Sequence, residues 1–380
     1  MPDTTPAPAP VPFVDIPGQI RRLRPQLDER IRRVLDHGQF ILGPEVRELE
    51  DALAAYVGGG HVVTTGSGHD AILLALMAEG IGPGDAVFVP AFTFVSTAEA
   101  VLAVGAAPIF VDVDERTFTM DPADLERRIA GVRRAGTWTP RAVMPVDIFG
   151  LPADYAGLGA VAEASGLFLL SDAAQSFGAT VGNRRVGRLA PATMTSFFPA
   201  KPLGGAGDGG ALFTEDSERA ATYRRLRVHG LDAHGECLSV GMTGRLDTLQ
   251  AAILLVKLAA FPDDLARREA AARRYDQTLA RAVMVPHRPA GHSSAWALYT
   301  ILSEKRDAIR AALAAERIPS RSYYEQALHL HAAFRASSEG PGSLPVTERL
   351  GRLNLSLPMH SELDAATVDR IAAIVVAAAA

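Results

Sequence analysis

The segment Gly166-Leu-Phe-Leu-Leu-Ser-Asp172-Ala-Ala-Gln175 joins an unbroken apolar run to an abrupt polar end. A run of this length and bulk is typical of a strand that is buried on both faces, as in a parallel sheet covered by helices. Asp172 then stands at the carboxyl end of that strand, where open α/β sheets bind their ligands. At this edge an acid can face a cationic ligand atom or a metal, although it can equally be the N-cap of a following turn.

Lys201 lies in a second unusual segment, Ser196-Phe-Phe-Pro-Ala-Lys201-Pro-Leu-Gly-Gly-Ala-Gly-Asp-Gly-Gly210. Because a residue that precedes proline is disfavoured in the helical conformation, we expect Lys201 to be extended. Apolar Phe197, Phe198 and Leu203 around it disfavour the ammonium form and favour a nucleophilic amine. A lone lysine here would be interpreted as a loop residue. Together with Asp172 it matches the needs of pyridoxal phosphate, which are a Schiff-base lysine and an acid for the pyridine nitrogen.

A glycine turn, Gly66-Ser-Gly68, separates a β-branched strand that begins at His61 from an apolar helical pattern. Such a turn offers unpaired backbone N–H groups and the positive end of a helix dipole to a phosphate. The pattern Gly66-x-Gly68-x-x-Ala71 also resembles a dinucleotide fingerprint, which requires an acid at the end of the next strand. That strand, at 87–89, runs into Pro90-Ala-Phe-Thr-Phe94 without an acid, so a phosphate site is favoured over a dinucleotide site.

Helical and strand patterns alternate from Gly43 to about Phe261, which predicts an α/β fold whose mostly parallel sheet is covered on both faces. The predicted strands are 61–65, 87–89, 108–113, 142–146, 167–171, 195–198 and 211–214. A strand at 295–302 and a helix at 305–317 indicate a smaller α+β domain after Pro262, which is expected to end the helix that begins at Thr248. The predicted division is an N-terminal arm (1–24), a large domain (25–261) and a small C-terminal domain (262–380).

Composition narrows the class of protein. The 380 residues are 48% hydrophobic, which suits a soluble protein with two packed domains. Since 38 basic residues face 43 acidic ones, there is no basic excess to attract nucleic acid. No apolar run approaches the roughly 18 residues that span a bilayer, so no membrane segment is expected. Cys237 is the single cysteine, which fits a reducing cytoplasm.

Two further expectations concern side-chain clusters. No group of His, Asp and Glu has convincing metal-ligand spacing, so no metal site is predicted. The arginine clusters at 21–24, 32–33 and 224–227 are typical of solvated helix faces.

Taken together, these segments resemble the DegT/DnrJ/StrS sugar aminotransferases, which are pyridoxal-phosphate enzymes of fold type I. The resemblance extends from about Phe13 to the C-terminus. It rests on ordered matches at 38–46, 80–85, 90–94, 171–179, 196–210, 245–252 and 355–360. The sequences Phe-Pro-Ala-Lys-Pro-Leu-Gly and Gln-Phe-Ile-Leu-Gly-Pro-Glu are most similar to the branch that aminates a UDP-linked 3-keto uronic acid.

The resemblance implies specific roles. Lys201 would hold the cofactor as a Schiff base and Asp172 would pair with the pyridine nitrogen, while Gln175 would lie beside the ring hydroxyl. Phe94 would stack on the ring, and Ser196 with backbone groups at Gly68 and His69 would contact the phosphate. It also implies a homodimer with shared sites, in which the small domain closes over the substrate.

Four further residues lie in segments that resemble substrate-binding regions, near the donor carboxylate or the sugar nucleotide. They are Arg245, His229, Tyr324 and His329. Each also has a structural interpretation. Arg245 can be an ion-paired helix start, His229 a helix-end residue stabilised by the dipole, and Tyr324 and His329 surface-turn residues.

Three positions depart from the family pattern. His69 replaces a threonine at the phosphate turn, so an imidazole stands in place of a hydroxyl donor. Thr243 replaces the asparagine of a Gly-x-Asn-x-Arg motif, which reaches the phosphate of the neighbouring subunit; threonine donates one hydrogen bond with shorter reach. Asp147 occupies a position where relatives often carry histidine, and its role is left open.

The expected activity is transfer of an amino group from an amino acid, with L-glutamate as the expected donor, to a keto group of a nucleotide-linked sugar. An alternative acceptor is a keto-cyclitol or another ketone of secondary metabolism. Relatives that dehydrate sugars carry histidine in place of the lysine, so Lys201 weighs against dehydration. A regulatory cofactor-binding module is the alternative outside enzymes, although no helix-turn-helix extension is visible.

Overall fold

A computed structural model describes residues 11–380 of the chain, and the first ten residues of the predicted N-terminal arm lie outside it. The described residues contain the α-helices α1 Ile16–His37, α2 Pro44–Val57, α3 Gly68–Ala78, α4 Val95–Ala103, α5 Pro122–Ala135, α6 Tyr155–Ser165, α7 Ser217–Leu226, α8 Thr248–Leu279, α9 Arg306–Ala315, α10 Pro345–Leu353 and α11 Ala365–Ala379. The strands are β1 His61–Thr65, β2 Asp85–Pro90, β3 Ala107–Val111, β4 Thr139–Val143, β5 Phe168–Asp172, β6 Thr180–Val181, β7 Arg184–Arg185, β8 Ala192–Ser196, β9 Gly210–Thr214, β10 Tyr299–Leu302 and β11 Asn354–Leu357. Residues 16–24 of the predicted arm are thus the first turns of α1.

A seven-stranded sheet forms the centre of the molecule, in the order β1-β9-β8-β5-β4-β2-β3. Strands β8, β5, β4, β2 and β3 pair in parallel, whereas β9 is antiparallel to both of its neighbours. The predicted mostly parallel sheet is therefore confirmed. Because parallel strands end at the same edge, the residues that follow β2, β4, β5 and β8 meet there.

Both faces of this sheet are buried, as predicted. Successive residues of a strand point to opposite faces, so Val62 packs against α2 and α8 while Val63 packs against α3. The side chains of β2 alternate in the same way: Val87 lies on the α3 side, and Phe88 lies in a core formed with α5 and α6. This two-sided burial explains why the strands read as continuous apolar runs.

Helix α8 contradicts the prediction that the helix from Thr248 ends at Pro262. It continues through Pro262 to Leu279, and one helix therefore crosses the predicted domain boundary. Phe261 is 1% exposed and packs in the core beneath the large sheet, whereas Tyr275 is fully buried in a second core. Packing at both ends outweighs the hydrogen bond that proline removes. The division at 261/262 stays a prediction.

The second core lies between the antiparallel pair β10–β11 and helices α9, α11 and the end of α8. This agrees with the α+β pattern predicted for the C-terminal segment, and the apolar helix α11 completes this core. Among residues 11–380, no helix is both long and apolar enough to cross a membrane.

Arg227 corrects the interpretation of the 224–227 cluster as a solvated face. Its side chain is buried, and its guanidinium donates to Glu50 Oε1 at 2.7 Å and to the carbonyl of Thr64 at 2.8 Å. Since Glu50 also accepts from the Thr64 N–H at 2.9 Å, the pair joins α2, β1 and the end of α7. A periodic charge pattern on the sequence cannot show a partner so distant along the chain.

Replacing Arg227 with alanine is expected to lower the free energy of unfolding by about 3 kcal/mol, because it leaves the Glu50 carboxylate, which is only 12% exposed, without its cation. The matched control is Arg24→Ala, which removes an exposed arginine paired with Asp28 four residues away. Urea unfolding should be followed by circular dichroism. The urea concentration at the unfolding midpoint should be much lower for Arg227→Ala than for wild type and nearly unchanged for Arg24→Ala. Equal midpoints for the two variants would contradict this account of the buried pair.

Candidate active site

Asp172 is the last residue of β5, and its carboxylate is buried at the carboxyl edge of the sheet. Thr97 Oγ1 donates to Oδ2 at 2.9 Å, and the Ala174 N–H donates to Oδ1 at 3.2 Å. Burial raises the pKa of Asp172, while these two hydrogen bonds and the charge of Lys201 oppose the rise. The carboxylate is thus positioned to gain from a cationic partner.

Lys201 lies five residues beyond the end of β8 in a tight loop, where its N–H donates to the Phe198 carbonyl at 2.8 Å. A Cβ at Gly204 would lie 2.4 Å from the Pro199 carbonyl oxygen, so only glycine fits this turn. Burial lowers the pKa of Lys201, and the charge of Asp172 opposes that shift. The structure therefore brings Lys201 and Asp172 together as an electrostatic pair.

The apolar surroundings predicted for Lys201 are confirmed in part. Phe197 and Leu203 are buried, at 0% and 2% exposure. Phe198 is 50% exposed, because its side chain points away from the core that holds Phe197.

The glycine turn after β1 closes against the end of β8. Ser67 caps α3 by accepting from the Asp70 N–H at 3.0 Å, and Gly68 is the first helical residue. A Cβ at Gly68 would lie 2.9 Å from Ser196 Cβ and 3.2 Å from its Oγ. His69 Nδ1 is hydrogen-bonded to Ser96 Oγ at 2.8 Å. Hydroxyl, imidazole and backbone N–H groups therefore gather at the positive end of α3, which suits a phosphate.

Gln175 and Tyr324 also meet near Asp172. Gln175 Oε1 accepts from the Phe149 N–H at 2.7 Å, and its Nε2 donates to the Tyr324 hydroxyl at 3.3 Å. Burial raises the pKa of Tyr324, so its hydroxyl stays protonated. Phe94 stands immediately before α4 with its ring 55% exposed, which leaves an aromatic face free.

The segment that carries Thr243 and Arg245 lies beside the glycine turn, because the Gly66 N–H donates to the Gly244 carbonyl at 3.0 Å. Thr243 Oγ1 is hydrogen-bonded to His229 Nε2 at 3.0 Å, and both side chains are exposed. Arg245 Nε is buried and has no hydrogen-bond partner among the described residues. A buried donor of this kind normally has a partner, so Arg245 is suited to an anionic ligand.

The side chain of His329 makes no hydrogen bond to any of these residues. Its ring is 1% exposed, with Nε2 hydrogen-bonded to Glu348 at 3.1 Å and Phe110 packed nearby. The surface-turn interpretation of His329 is therefore wrong, since the 3-10 turn that carries it packs against β3. A substrate-binding role has no supporting contact in the described part of the chain.

Sequence reasoning missed Thr97 and Ser96, which contact Asp172 and His69. The available signal was their polarity in the apolar helical stretch that follows Phe94. Because residues three apart lie on the same side of a helix, Thr97 lies on the side of α4 that carries Phe94.

The chemical groups at this edge fit pyridoxal phosphate. A buried acid suits a protonated ring nitrogen, an amine of lowered pKa suits an aldehyde, and the turn at α3 suits a phosphate. A side chain at position 68 would collide with Ser196, so glycine is required there. Without that side chain, the backbone N–H groups of the turn stay accessible to a ligand.

Comparison with known proteins agrees with this chemistry. Residues 22–376 match the family described as the DegT/DnrJ/EryC1/StrS aminotransferase family. The chain is 41% identical to UDP-2-acetamido-2-deoxy-3-oxo-D-glucuronate aminotransferase of Pseudomonas aeruginosa, over 96% of this chain and 99% of the relative. It is also 41% identical to UDP-N-acetyl-3-dehydro-alpha-D-glucosamine 3-aminotransferase of Acidithiobacillus ferrooxidans, over 96% and 97% of the two chains.

The fold agrees equally well with a solved structure. The crystal structure of a DegT DnrJ EryC1 StrS aminotransferase from Brucella abortus matches with a TM-score of 0.94 and 47% identity, covering 96% of this chain and 98% of that one. Its likeness extends over both cores. The chain therefore belongs to the DegT/DnrJ/EryC1/StrS aminotransferase family and is a pyridoxal phosphate-dependent aminotransferase of fold type I.

Proposed function

We propose that this enzyme transfers an amino group from L-glutamate to the keto carbon of a nucleotide-linked sugar, and that the acceptor is a UDP-linked 3-keto sugar. The pairing of buried Asp172 with partly buried Lys201 beside the phosphate-type turn is the observation that carries the reaction class. The acceptor class is supported by two relatives named for UDP-linked 3-keto substrates, each 41% identical to this chain.

Pyridoxal phosphate, when bound, supplies an aldehyde that carries the amino group and a pyridine ring that accepts electrons. In the proposal, the Asp172 carboxylate keeps the proton on the ring nitrogen and the Gln175 amide contacts the ring hydroxyl. Phe94 offers its exposed face for stacking. Ser196 and the N–H groups of 68–69 hold the phosphate, with the His69 imidazole oriented by Ser96.

Lys201 provides the reactive amine. Burial lowers its pKa, so a larger fraction of Nζ is neutral and nucleophilic near neutrality. Once the donor amine has replaced it, the free Nζ removes the proton from the donor α-carbon. In the return half of the reaction the same Nζ protonates the sugar carbon that began as the ketone.

Arg245 and Tyr324 are the proposed substrate-binding residues with structural support. The unpartnered Nε of Arg245 suits the donor carboxylate or a phosphate of the nucleotide. Tyr324 reaches the site through Gln175, which places its hydroxyl near the reacting groups. His229 is proposed to orient Thr243, and a role for His329 in substrate binding stays a prediction.

The proposed assembly is a homodimer with shared sites. The loop Phe40-Ile-Leu42 exposes three apolar side chains, at 46%, 53% and 41%, and Phe198 near Lys201 is half exposed. Thr243 is likewise open on the surface, where it can reach a phosphate bound by a second subunit. The single exposed thiol, Cys237, fits the reducing cytoplasm that the proposal assigns to the enzyme.

Wild-type holoenzyme is expected to move ¹⁵N from labelled L-glutamate to a UDP-linked 3-keto sugar, detected by mass spectrometry and NMR of the sugar product. Two acceptors should be compared, one with and one without a C6 carboxylate, together with a keto-cyclitol. Label in the cyclitol but in neither sugar would overturn the acceptor class.

Lys201→Ala is the matched control for that transfer, since it should abolish turnover and the visible absorbance of bound cofactor. Borohydride reduction should attach the cofactor to the peptide that contains Lys201 in wild type and to no peptide in the variant. Full activity of the alanine variant would contradict the assignment of the amine.

The pairing of Lys201 with Asp172 predicts a pH dependence for cofactor uptake by apoprotein, because uptake needs the neutral amine. The half-maximal pH of the uptake rate should lie below the ordinary lysine pKa of 10.5. The charge of Asp172 raises the pKa of Lys201, so Asp172→Asn should shift this midpoint to lower pH. Stopped-flow absorbance at several pH values measures both, and a shift to higher pH would refute the electrostatic coupling.

Ile41→Glu is expected to weaken the dimer, because the charge would be desolvated in the proposed interface. Met284→Glu, at an exposed apolar position of 48% exposure in the C-terminal segment, is the control. Light scattering after size exclusion should give a dimer for wild type and the control, with dissociation for the first variant at micromolar concentration. A monomeric, fully active wild type would exclude shared sites.

A further inference from the structure

Asp147 is a fully buried carboxylate with a complete set of donors. It lies four residues beyond β4, and its side chain is 0% exposed. Ser176 Oγ donates to Oδ2 at 2.6 Å, while the Tyr155 hydroxyl at 2.6 Å and the Ala153 N–H at 2.9 Å donate to Oδ1. Tyr155 is in turn hydrogen-bonded to Ser171, the residue before Asp172.

The backbone of Asp147 is joined directly to that of Asp172. The Asp147 N–H donates to the Asp172 carbonyl at 2.9 Å, and the Asp172 N–H donates to the Pro145 carbonyl at 2.9 Å. These reciprocal bonds extend the pairing of β4 with β5 past the end of β4, as far as the last residue of β5. The acid that faces the cofactor is therefore held in register with Asp147.

Side-chain contacts fix the next part of the same loop. Ser176 follows Gln175 directly, so its bond to Asp147 anchors the residue that is proposed to contact the ring hydroxyl. The Phe149 N–H, two residues after Asp147, donates to Gln175 Oε1 at 2.7 Å. The loop from Asp172 to Ser176 is thus tied to 145–149 by backbone and side-chain bonds.

Electrostatics add a second effect. Burial and, to a smaller extent, the nearby charge of Asp172 raise the pKa of Asp147 to about 7, against the hydrogen bonds from Ser176, Tyr155 and Ala153. The titratable groups around it are Tyr155 on α6 and Asp172 on β5, and Asp172 in turn interacts with Lys201 and Tyr324. A second buried carboxylate therefore lies beside the one that interacts with Lys201.

We propose that Asp147 is a positioning residue for the aminotransferase reaction, which holds the Asp172–Gln175 loop in place and reinforces the negative charge that faces the cofactor's ring nitrogen. This inference rests on the proposed function, because it needs a cation opposite Asp172. The charge of Asp147 would stabilise the protonated cofactor through Asp172. The hydrogen bonds of Asp147 would align Asp172 and Gln175 with the ring.

The test is Asp147→Asn, which keeps the size of the side chain and removes its charge. In the holoenzyme, the pH at which the visible absorbance of the bound cofactor titrates should fall by about 0.5 unit, because loss of a nearby negative charge disfavours the protonated form. We also expect kcat to fall about threefold, which is the change that about 0.5 pH unit makes in the protonation equilibrium of the ring.

Asp112→Asn is the matched control. Asp112 is also buried, follows β3, and accepts N–H bonds from Val346 at 3.0 Å and Thr347 at 2.8 Å. Strands β4 and β2 separate β3 from β5, so the same change of charge there should leave the cofactor titration at its wild-type pH. Equal titration of all three proteins would overturn the electrostatic part of the inference.

A readout on apoprotein separates this inference from the proposed function. A carboxylate whose folded pKa lies above its unfolded value gains folding stability as the pH falls, here between about 8 and 5. The Tm of wild-type apoprotein should therefore rise, relative to that of Asp147→Asn, as the pH falls through this window. A relative rise of unchanged slope between about pH 9 and pH 8 would show that Asp147 is still protonated there and would refute its charged state.

A second variant covers the case in which Asp147→Asn does not fold. Ser176→Ala removes a donor that favours ionised Asp147, so the titration should shift in the same direction as with asparagine. A shift in the opposite direction, or none, would overturn the inference. Absence of cofactor binding or transfer in wild type would instead be a failure of the proposed function, independent of any variant.

Discussion

The burial of opposite charges at one edge of a parallel sheet is the constraint on which this site depends. Asp172 is buried and Lys201 is partly buried, and this burial moves the pKa of each toward neutrality. Each charge favours the ionised form of the other, while Thr97 and the Ala174 N–H satisfy the carboxylate. A ligand can therefore replace either partner. Asp172 can pair with a cationic atom of the ligand, and the Lys201 amine can react with its aldehyde.

The architecture was largely predictable because the sheet is buried on both faces. Two-sided burial gives apolar runs, and each of the seven predicted strands has a counterpart, with β1 matching the prediction at both ends. Strand β8 begins three residues before its predicted start. Its interior is fully buried, but Thr193 and Thr195 are polar and so interrupt the apolar pattern on which the prediction rests. The predicted helix end at Pro262 is wrong for a related reason. Packing at both ends of α8 stabilises the helix by more than proline destabilises it.

Contacts between distant segments were beyond sequence reasoning. Arg227 and Glu50 lie 177 residues apart, and Asp112 binds the N-terminal N–H groups of α10 from a distance of 235 residues along the chain. Neither partner has a local pattern that distinguishes it from a solvated residue. His329 was misplaced for the same reason, since its burial beside Glu348 is decided by how the C-terminal segment packs on β3. The residues found from sequence, Lys201, Asp172 and the turn at Gly68, are those whose neighbours along the chain mark them.

Asp147 raises the question of why a carboxylate, rather than an amide, fills this position. An asparagine could accept from Tyr155 and Ala153 through its oxygen and donate to Ser176 through its nitrogen, because a hydroxyl accepts as well as donates. Folding alone therefore does not require the charge, and burying it beside Asp172 costs free energy. The charge of Lys201 offsets part of that cost, and a cationic ring nitrogen bound in front of Asp172 would offset more of it. The charge of Asp147 is thus explained by the state with cofactor bound and not by the fold, which links the interior of the sheet to the chemistry at its edge.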